Sequence, residues 1–66
     1  MTIDFAPEME LLTIADVAGL LKVSIPTVRR LQQQRTIPFF KVGGSVRFAK
    51  FDIIQYLERR RVASIG

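Results

Sequence analysis

Ser24-Ile-Pro-Thr-Val-Arg-Arg-Leu-Gln-Gln-Gln-Arg35 is the stretch whose reading decides the fold. Ser24 suits a helix N-cap, because its hydroxyl can accept a hydrogen bond from a free amide of the first turn. Pro26 falls in that turn, where its missing N–H costs little. Nothing breaks the helix before Pro38. At about 100° per residue, Ile25, Val28 and Leu31 share one side, which can be buried. Pro26, Arg30 and Gln33 point the opposite way, flanked by Thr27, Arg29 and Gln34. Those polar side chains are of the kinds that bridge base edges and phosphates. Alone, the stretch describes an ordinary surface helix equally well. The flanking sequence decides between the two.

Upstream, Thr13-x-x-Asp16 is a capping signature. Ile14, Val17, Ala18 and Leu21 follow at i, i+3, i+4 and i+7, a helix with one apolar stripe. Ala15, Asp16 and Gly19 face out. Ala18 is small enough to let a second helix approach closely. Gly19 costs this helix up to about 1 kcal/mol relative to alanine, so packing must hold it. Lys22-Val23 is a tight connection to the Ser24 cap. Helix, short turn and helix make a helix-turn-helix unit, packed through Val17, Ala18, Leu21, Val23, Val28 and Leu31. A generic helical hairpin has the same outline, but the short turn and polar outer face favour the DNA-binding form.

Downstream, Thr36-Ile37-Pro38 ends the second helix, since a residue before proline avoids helical geometry. Phe39 to Phe48 then gives two short β-rich runs around Gly43-Gly44, a hairpin. A two-residue loop would pair Val42 with Ser45 and Phe40 with Arg47, mixing apolar and polar on each face. A three-residue loop, Gly43 to Ser45, would pair Val42 with Val46 and Phe40 with Phe48, leaving Lys41 and Arg47 together outside. One buried face is needed, so the longer loop is preferred, although Ser45 suits a left-handed position less well than glycine. Such a hairpin beside the second helix is a wing. Gly43, Gly44 and Ser45 would expose backbone amides at its tip, and Lys41 and Arg47 would meet phosphates or a minor groove. The plainer reading is a two-stranded cover for the core. Phe51 to about Arg61 forms a third helix. Asp52 stands at its positive end and Arg59-Arg60-Arg61 at its negative end. Ile53, Tyr56 and Leu57 face inward, with Ile54 beside them.

The expected organisation is an acidic arm over Met1–Glu10, a domain over 11–62 and a short tail over 63–66. The arm serves solubility or competes weakly with DNA for the basic surface. Sixty-six residues allow one domain with one small core. With 48% hydrophobic residues the chain has the composition of a folded protein. There is no histidine and no cysteine. That excludes disulfides, zinc fingers and the usual nucleophile–base pairs. No phosphate loop or convergent acid pair is evident, so neither an enzyme nor a cofactor is expected. No apolar run approaches the ~20 residues that span a bilayer. The acidic start lacks a secretory signal's basic region, so the expected location is cytoplasmic. The net charge is +4, and its distribution says more. Up to Asp16 there are four acids and no bases. Beyond it there are ten bases and two acids, Asp52 and Glu58. A basic domain of this kind suits a polyanion, most simply nucleic acid.

Thr13 to Leu57 resembles the excisionase-type winged helix-turn-helix domain, related to the DNA-binding heads of mercury-resistance-type regulators. The matching segments are Leu12-Thr-Ile-x-x-Val-Ala18, Val23-Ser-x-x-Thr-Val-Arg-Arg30, Ile37-Pro-x-x-Lys-Val-Gly-Gly44, Val46-Arg-Phe48 and Asp52-Ile-x-x-Tyr-Leu57. They cover about two thirds of the chain, and the ordered set is more specific than any one piece. The resemblance implies a mainly α fold of three helices and a two-stranded wing. It implies that Pro26, Thr27, Arg29, Arg30 and Gln33 meet the major groove, and that the wing touches the adjacent minor groove or backbone. From the wheel, Gln34 joins the major-groove set. Ser24 joins Lys41, Gly43, Gly44, Ser45 and Arg47 in the backbone or wing set. Members of the family are mostly small phage or mobile-element proteins that bind repeated sites, bend DNA and direct an integrase toward excision. Some regulate transcription. The family often carries tryptophan at the place of Tyr56 and glycine at the place of Arg35. Either Arg35 takes the backbone angle that glycine favours, or the second helix ends in another way.

Three functions follow from this reading. The first is an excisionase-like factor, with double-stranded DNA and an integrase as partners and self-association on DNA. The second is a transcription regulator of the same fold, which uses the same contacts. The third is an adaptor whose basic face meets an acidic protein, which predicts no DNA binding at moderate salt. Under the first two, replacing Arg30 with alanine should cost about 1–3 kcal/mol of binding and relax sequence preference. Titrating the variant against its preferred site checks this, and unchanged affinity would remove Arg30 from the groove.

Overall fold

In the computed structural model, residues 10–63 are described. The expected arm over residues 1–9 and the end of the tail, 64–66, lie outside the described residues. The elements are β1 (Leu11–Leu12), α1 (Ile14–Leu21), α2 (Ile25–Gln33), β2 (Phe40–Val42), β3 (Ser45–Ala49) and α3 (Lys50–Arg59). The fold is a mainly helical winged helix-turn-helix, three helices with a small antiparallel hairpin.

Both ends of the first helix follow from short-range chemistry. Thr13 and Asp16 form the anticipated capping box. The Thr13 amide donates to Asp16 Oδ2, and the Asp16 amide donates to Thr13 Oγ1, each at 3.0 Å. The Thr13 amide, and the Thr13 hydroxyl beside it, hydrogen-bond to the Asp16 carboxyl and hold it below the ordinary value of 3.8, with a smaller push from the positive charge of Arg47. At the other end Lys22 turns left-handed, φ 57°, and the Val23 amide donates back to the Ala18 carbonyl at 3.0 Å.

The second helix starts as anticipated. Ser24 Oγ accepts from the Thr27 amide at 3.2 Å, and Pro26 lies in the first turn. It stops at Gln33, short of Arg35. Arg35 takes φ 57°. Its amide donates to the Gln32 carbonyl, and the Thr36 amide donates to the Leu31 carbonyl, both at 3.0 Å. This pair of bonds is the Schellman closure, usually built on glycine. Arginine here adopts the glycine geometry, so of the two alternatives the strained one holds.

The hairpin corrects the expected register. Val42 pairs with Ser45, Lys41 with Val46 and Phe40 with Arg47, around a two-residue Gly43-Gly44 turn. Both glycines have positive φ, 56° and 87°. A tight hairpin turn with two left-handed central residues matches the natural strand twist. The three-residue loop would have put Ser45 in that region instead. The argument from one buried face failed because only part of the hairpin packs on the core. Consequently Lys41 and Arg47 do not share an outer face. Alternate residues point to opposite sides of a strand, so Arg47 sides with Phe40 and Ser45, and Lys41 with Val46.

A third strand accompanies the hairpin. Leu11 pairs with Ala49 and Leu12 with Phe48, giving the sheet order β1-β3-β2. The Lys50 amide, opening α3, donates to the Glu10 carbonyl at 2.8 Å. The end of the expected arm is therefore bonded into the fold.

The core gathers Leu12, Val17, Ala18, Val28, Ile37, Phe48 and Ile53, one or two from each element it touches. Ile14, Leu21, Leu31, Phe39, Val46 and Tyr56 pack around it. Five residues expected to face inward do not: Val23, Ile25 and Leu57 are 40%, 43% and 44% exposed, and Phe40 and Val42 of the hairpin 46% and 55%. Ile25 and Val23 flank the cap, before α2 has closed onto α1. The third helix runs Lys50–Arg59 instead of Phe51 to Arg61, and Arg60 stacks over the Tyr56 ring at 5.3 Å.

Two predictions follow. Arg35→Gly removes a left-handed conformation that costs about 1–2 kcal/mol, offset in part by the roughly 0.5–1 kcal/mol of extra freedom that glycine loses on folding, and should raise stability by about 0.5–1 kcal/mol in denaturant unfolding. A decrease would mean that the Arg35 side chain contributes more than its backbone costs. The lowered Asp16 carboxyl stabilises the fold above its ordinary titration range. That contribution is lost as pH falls below about 3.8 and through the folded value. Asp16→Asn should therefore lose less stability between pH 5 and pH 3, on scales set by the aspartate range, in parallel thermal melts. Equal losses would exclude the charged cap as the cause.

Candidate nucleic-acid interface

The helix α2 and the wing stand on two sides of one open groove. Ile25, Arg29, Gln32 and Gln33 line it from the helix, and Gly44, Ser45, Val46 and Arg47 from the wing. Thr13, Ile14 and Ala15, at the start of α1, complete the lining. The two caps explain why the parts meet. The Ser24 cap fixes where α2 begins, and the left-handed turn at Arg35 sends the chain back through buried Ile37 into β2. The Gly43-Gly44 turn then brings Ser45 and Arg47 alongside the helix.

The structure divides the anticipated residues into groups. Arg29, Gln33, Gly44, Ser45 and Arg47 come together in the groove. Pro26, Arg30 and Gln34 are exposed but do not line it. Ser24 and Thr27 have their hydroxyl oxygens 2.8 Å apart at the helix start, where Ser24 also serves the cap. Gly43 is exposed at the wing tip. Lys41 lines a separate hollow with Arg35, Ile37, Pro38 and Phe39.

Thr13, Ile14, Ala15 and Val46 were not anticipated at the groove, nor were two residues of α2, Ile25 and Gln32. A signal for these last two existed, since 25, 29, 32 and 33 are i, i+4, i+7 and i+8, one stripe of a helix. Ile25 was assigned to the core because it is apolar and in phase with Val28. The true core line of α2 runs through Val28 and Leu31, which turns the wing-side stripe toward Ile25.

Arg47 is the most constrained cation of the groove. It is half-buried, and its Nη1 donates to the Val46 carbonyl at 2.8 Å. Its guanidinium retains further donors, and its field reaches the Asp16 carboxylate. Across the glycine turn there is free space. A Cβ built on Gly43 or Gly44 would meet no atom within 4 Å, so another molecule can approach the backbone closely there. Among the described residues no group of three or more metal-ligating side chains comes together. Among them no helix is long and apolar enough to cross a membrane.

Comparison with known proteins agrees with this geometry. The family model described as "Helix-turn-helix domain" matches residues 11–61. "Uncharacterized protein YvgK" of Bacillus subtilis (strain 168) is 41% identical over 51 residues, 77% of this chain and 17% of that protein. The chain thus spans less than a fifth of that relative's length. No solved structure matches. The matched region contains both helices of the turn, the groove and the wing, and the chain belongs to the helix-turn-helix domain family of DNA-binding proteins.

Proposed function

We propose that this protein is a sequence-specific binder of double-stranded DNA of the excisionase kind. It binds repeated sites, associates with further copies along them, bends the DNA and helps an integrase to excise a mobile element. The observation that carries the reading is the pairing of α2 and the wing across one groove. Arg29 and Gln33 stand on one side, and Arg47 with the open glycine turn on the other. A helix edge with donors for bases, next to a cationic hairpin with exposed backbone, is what a duplex with adjacent grooves requires. Arg30 and Gln34 extend the exposed face on the side away from the wing. Ten bases against two acids after Asp16 supply the sequence-independent attraction to phosphate.

A second reading is a transcription regulator that uses the same surface. It is compatible with the match to YvgK, where the similar stretch is only 17% of a longer polypeptide. A domain of this family can thus serve as one part of a larger protein.

A recombination assay separates the two. With an integrase and a substrate carrying the element's ends, added protein should raise excision severalfold. No effect on excision, together with repression of a neighbouring promoter, would favour the regulator. The wing offers a second test. Arg47→Ala should weaken DNA binding more than Lys41→Ala, because only Arg47 lines the groove, and it should reduce the slope of log affinity against log salt by about one. A larger effect of Lys41→Ala would mean that the wing meets DNA by its other face, and equal effects would mean that the groove face is not the one that binds.

A further inference from the structure

The geometry points to Ile25 as a residue that selects thymine at one position of the DNA site, by apolar contact with the thymine methyl group. This inference rests on the DNA-binding reading above and deepens it. Ile25 is the first residue of α2, directly after the Ser24 cap. It is 43% exposed, and of the ten large hydrophobic residues left exposed among the described residues it is the one that lines the groove. Its open side faces the groove between α2 and the wing, in line with Arg29 one turn along the same face.

The chemistry of the position is specific. The N-terminal residues of a recognition helix are those that approach base edges in the major groove. Polar side chains there read donors and acceptors. An aliphatic side chain can read only the C5 methyl of thymine, the one apolar group that the major groove displays. Covering that methyl removes apolar surface of both partners from water. Cytosine in its place offers an N4 amino donor that isoleucine cannot satisfy. Ile25 sits beside Arg29, whose guanidinium can read guanine at a neighbouring position. The thymine preference therefore adds to a polar readout without duplicating it. Val28 and Leu31 anchor α2 to the core, and Ile25 is not among the hydrophobic residues packed against the buried cluster.

The test is selection of preferred duplexes from a random pool with wild type, Ile25→Val and Ile25→Ala. Wild type and Ile25→Val should enrich a motif with a fixed thymine that Ile25→Ala loses, the other positions being unchanged. Replacing that thymine by deoxyuridine in the selected duplex deletes only the methyl group. Wild type should then bind about four- to tenfold more weakly, the equivalent of one buried methyl-sized group, and Ile25→Ala should show no difference. The same motif from all three proteins, or wild-type indifference to deoxyuridine, would overturn the inference and leave DNA binding intact. Failure of wild type to enrich any duplex would overturn both. Should Ile25→Ala fold poorly in a thermal melt, the deoxyuridine comparison on wild type and Ile25→Val still decides.

Discussion

The antiparallel pairing of β3 is the constraint on which the other parts depend. It is the central strand, with β1 on one edge and β2 on the other, and its last residue leads directly into α3. Successive residues of a strand point to opposite sides, so the register decides two things together. Phe48 is fully buried among Val17, Val28, Ile37 and Ile53, and it is the largest side chain of the core. Arg47, its neighbour, is turned to the groove. A slip of one residue would exchange them, placing a guanidinium in the core and a phenyl ring on the DNA-facing side. Stability and function are thus tied to the same hydrogen-bond ladder.

The reversals around the groove are made by left-handed residues. Among the described residues these are Lys22 after α1, Arg35 after α2, and Gly43 and Gly44 in the wing. The glycines adopt that conformation freely. At Lys22 and Arg35 it costs about 1–2 kcal/mol each, and the surroundings must compensate. After Arg35 they do so through fully buried Ile37 and the two amide bonds back to α2. After Lys22 the amide of Val23 bonds back to Ala18, and the Ser24 cap follows at once. The fold accepts strain at these corners, and in return α2 and the wing face each other at a fixed spacing.

The interface combines elements of unequal rigidity and chemistry. The helix edge presents an apolar residue, a cation and two amides, side chains able to tell base pairs apart. The wing presents a cation that is already hydrogen-bonded and a turn with open space beside its backbone. This division suits recognition in which the helix reads sequence and the hairpin fixes the position on the phosphates. Lys41, on the other side of the hairpin, belongs to a different surface, which the register alone decides.

Much of this was written into short segments of the chain. The capping box at Thr13 and Asp16, the Ser24 cap and the apolar period of α1 depend on residues three or four apart, and each formed as its local chemistry requires. The charge asymmetry and the polar face of α2 are legible in the sequence as marks of a DNA-binding surface, and so are Arg29, Gln33, Gly44, Ser45 and Arg47, which the fold brings to one groove. Other features rest on partners far along the chain. Two residues, Leu11-Leu12, carry no strand period and become β1 only because Ala49 and Phe48 offer them an open edge. The hairpin register was misjudged because the loop was chosen from an assumed buried face, whereas the twist of the strands and the freedom of two glycines select the shorter turn. Ile25 and Val28 look alike on a helical wheel, and only the angle at which α2 meets α1 leaves one exposed in the groove and the other buried. Local sequence determines which segments are helices and how they end; long-range packing determines which side of each is covered.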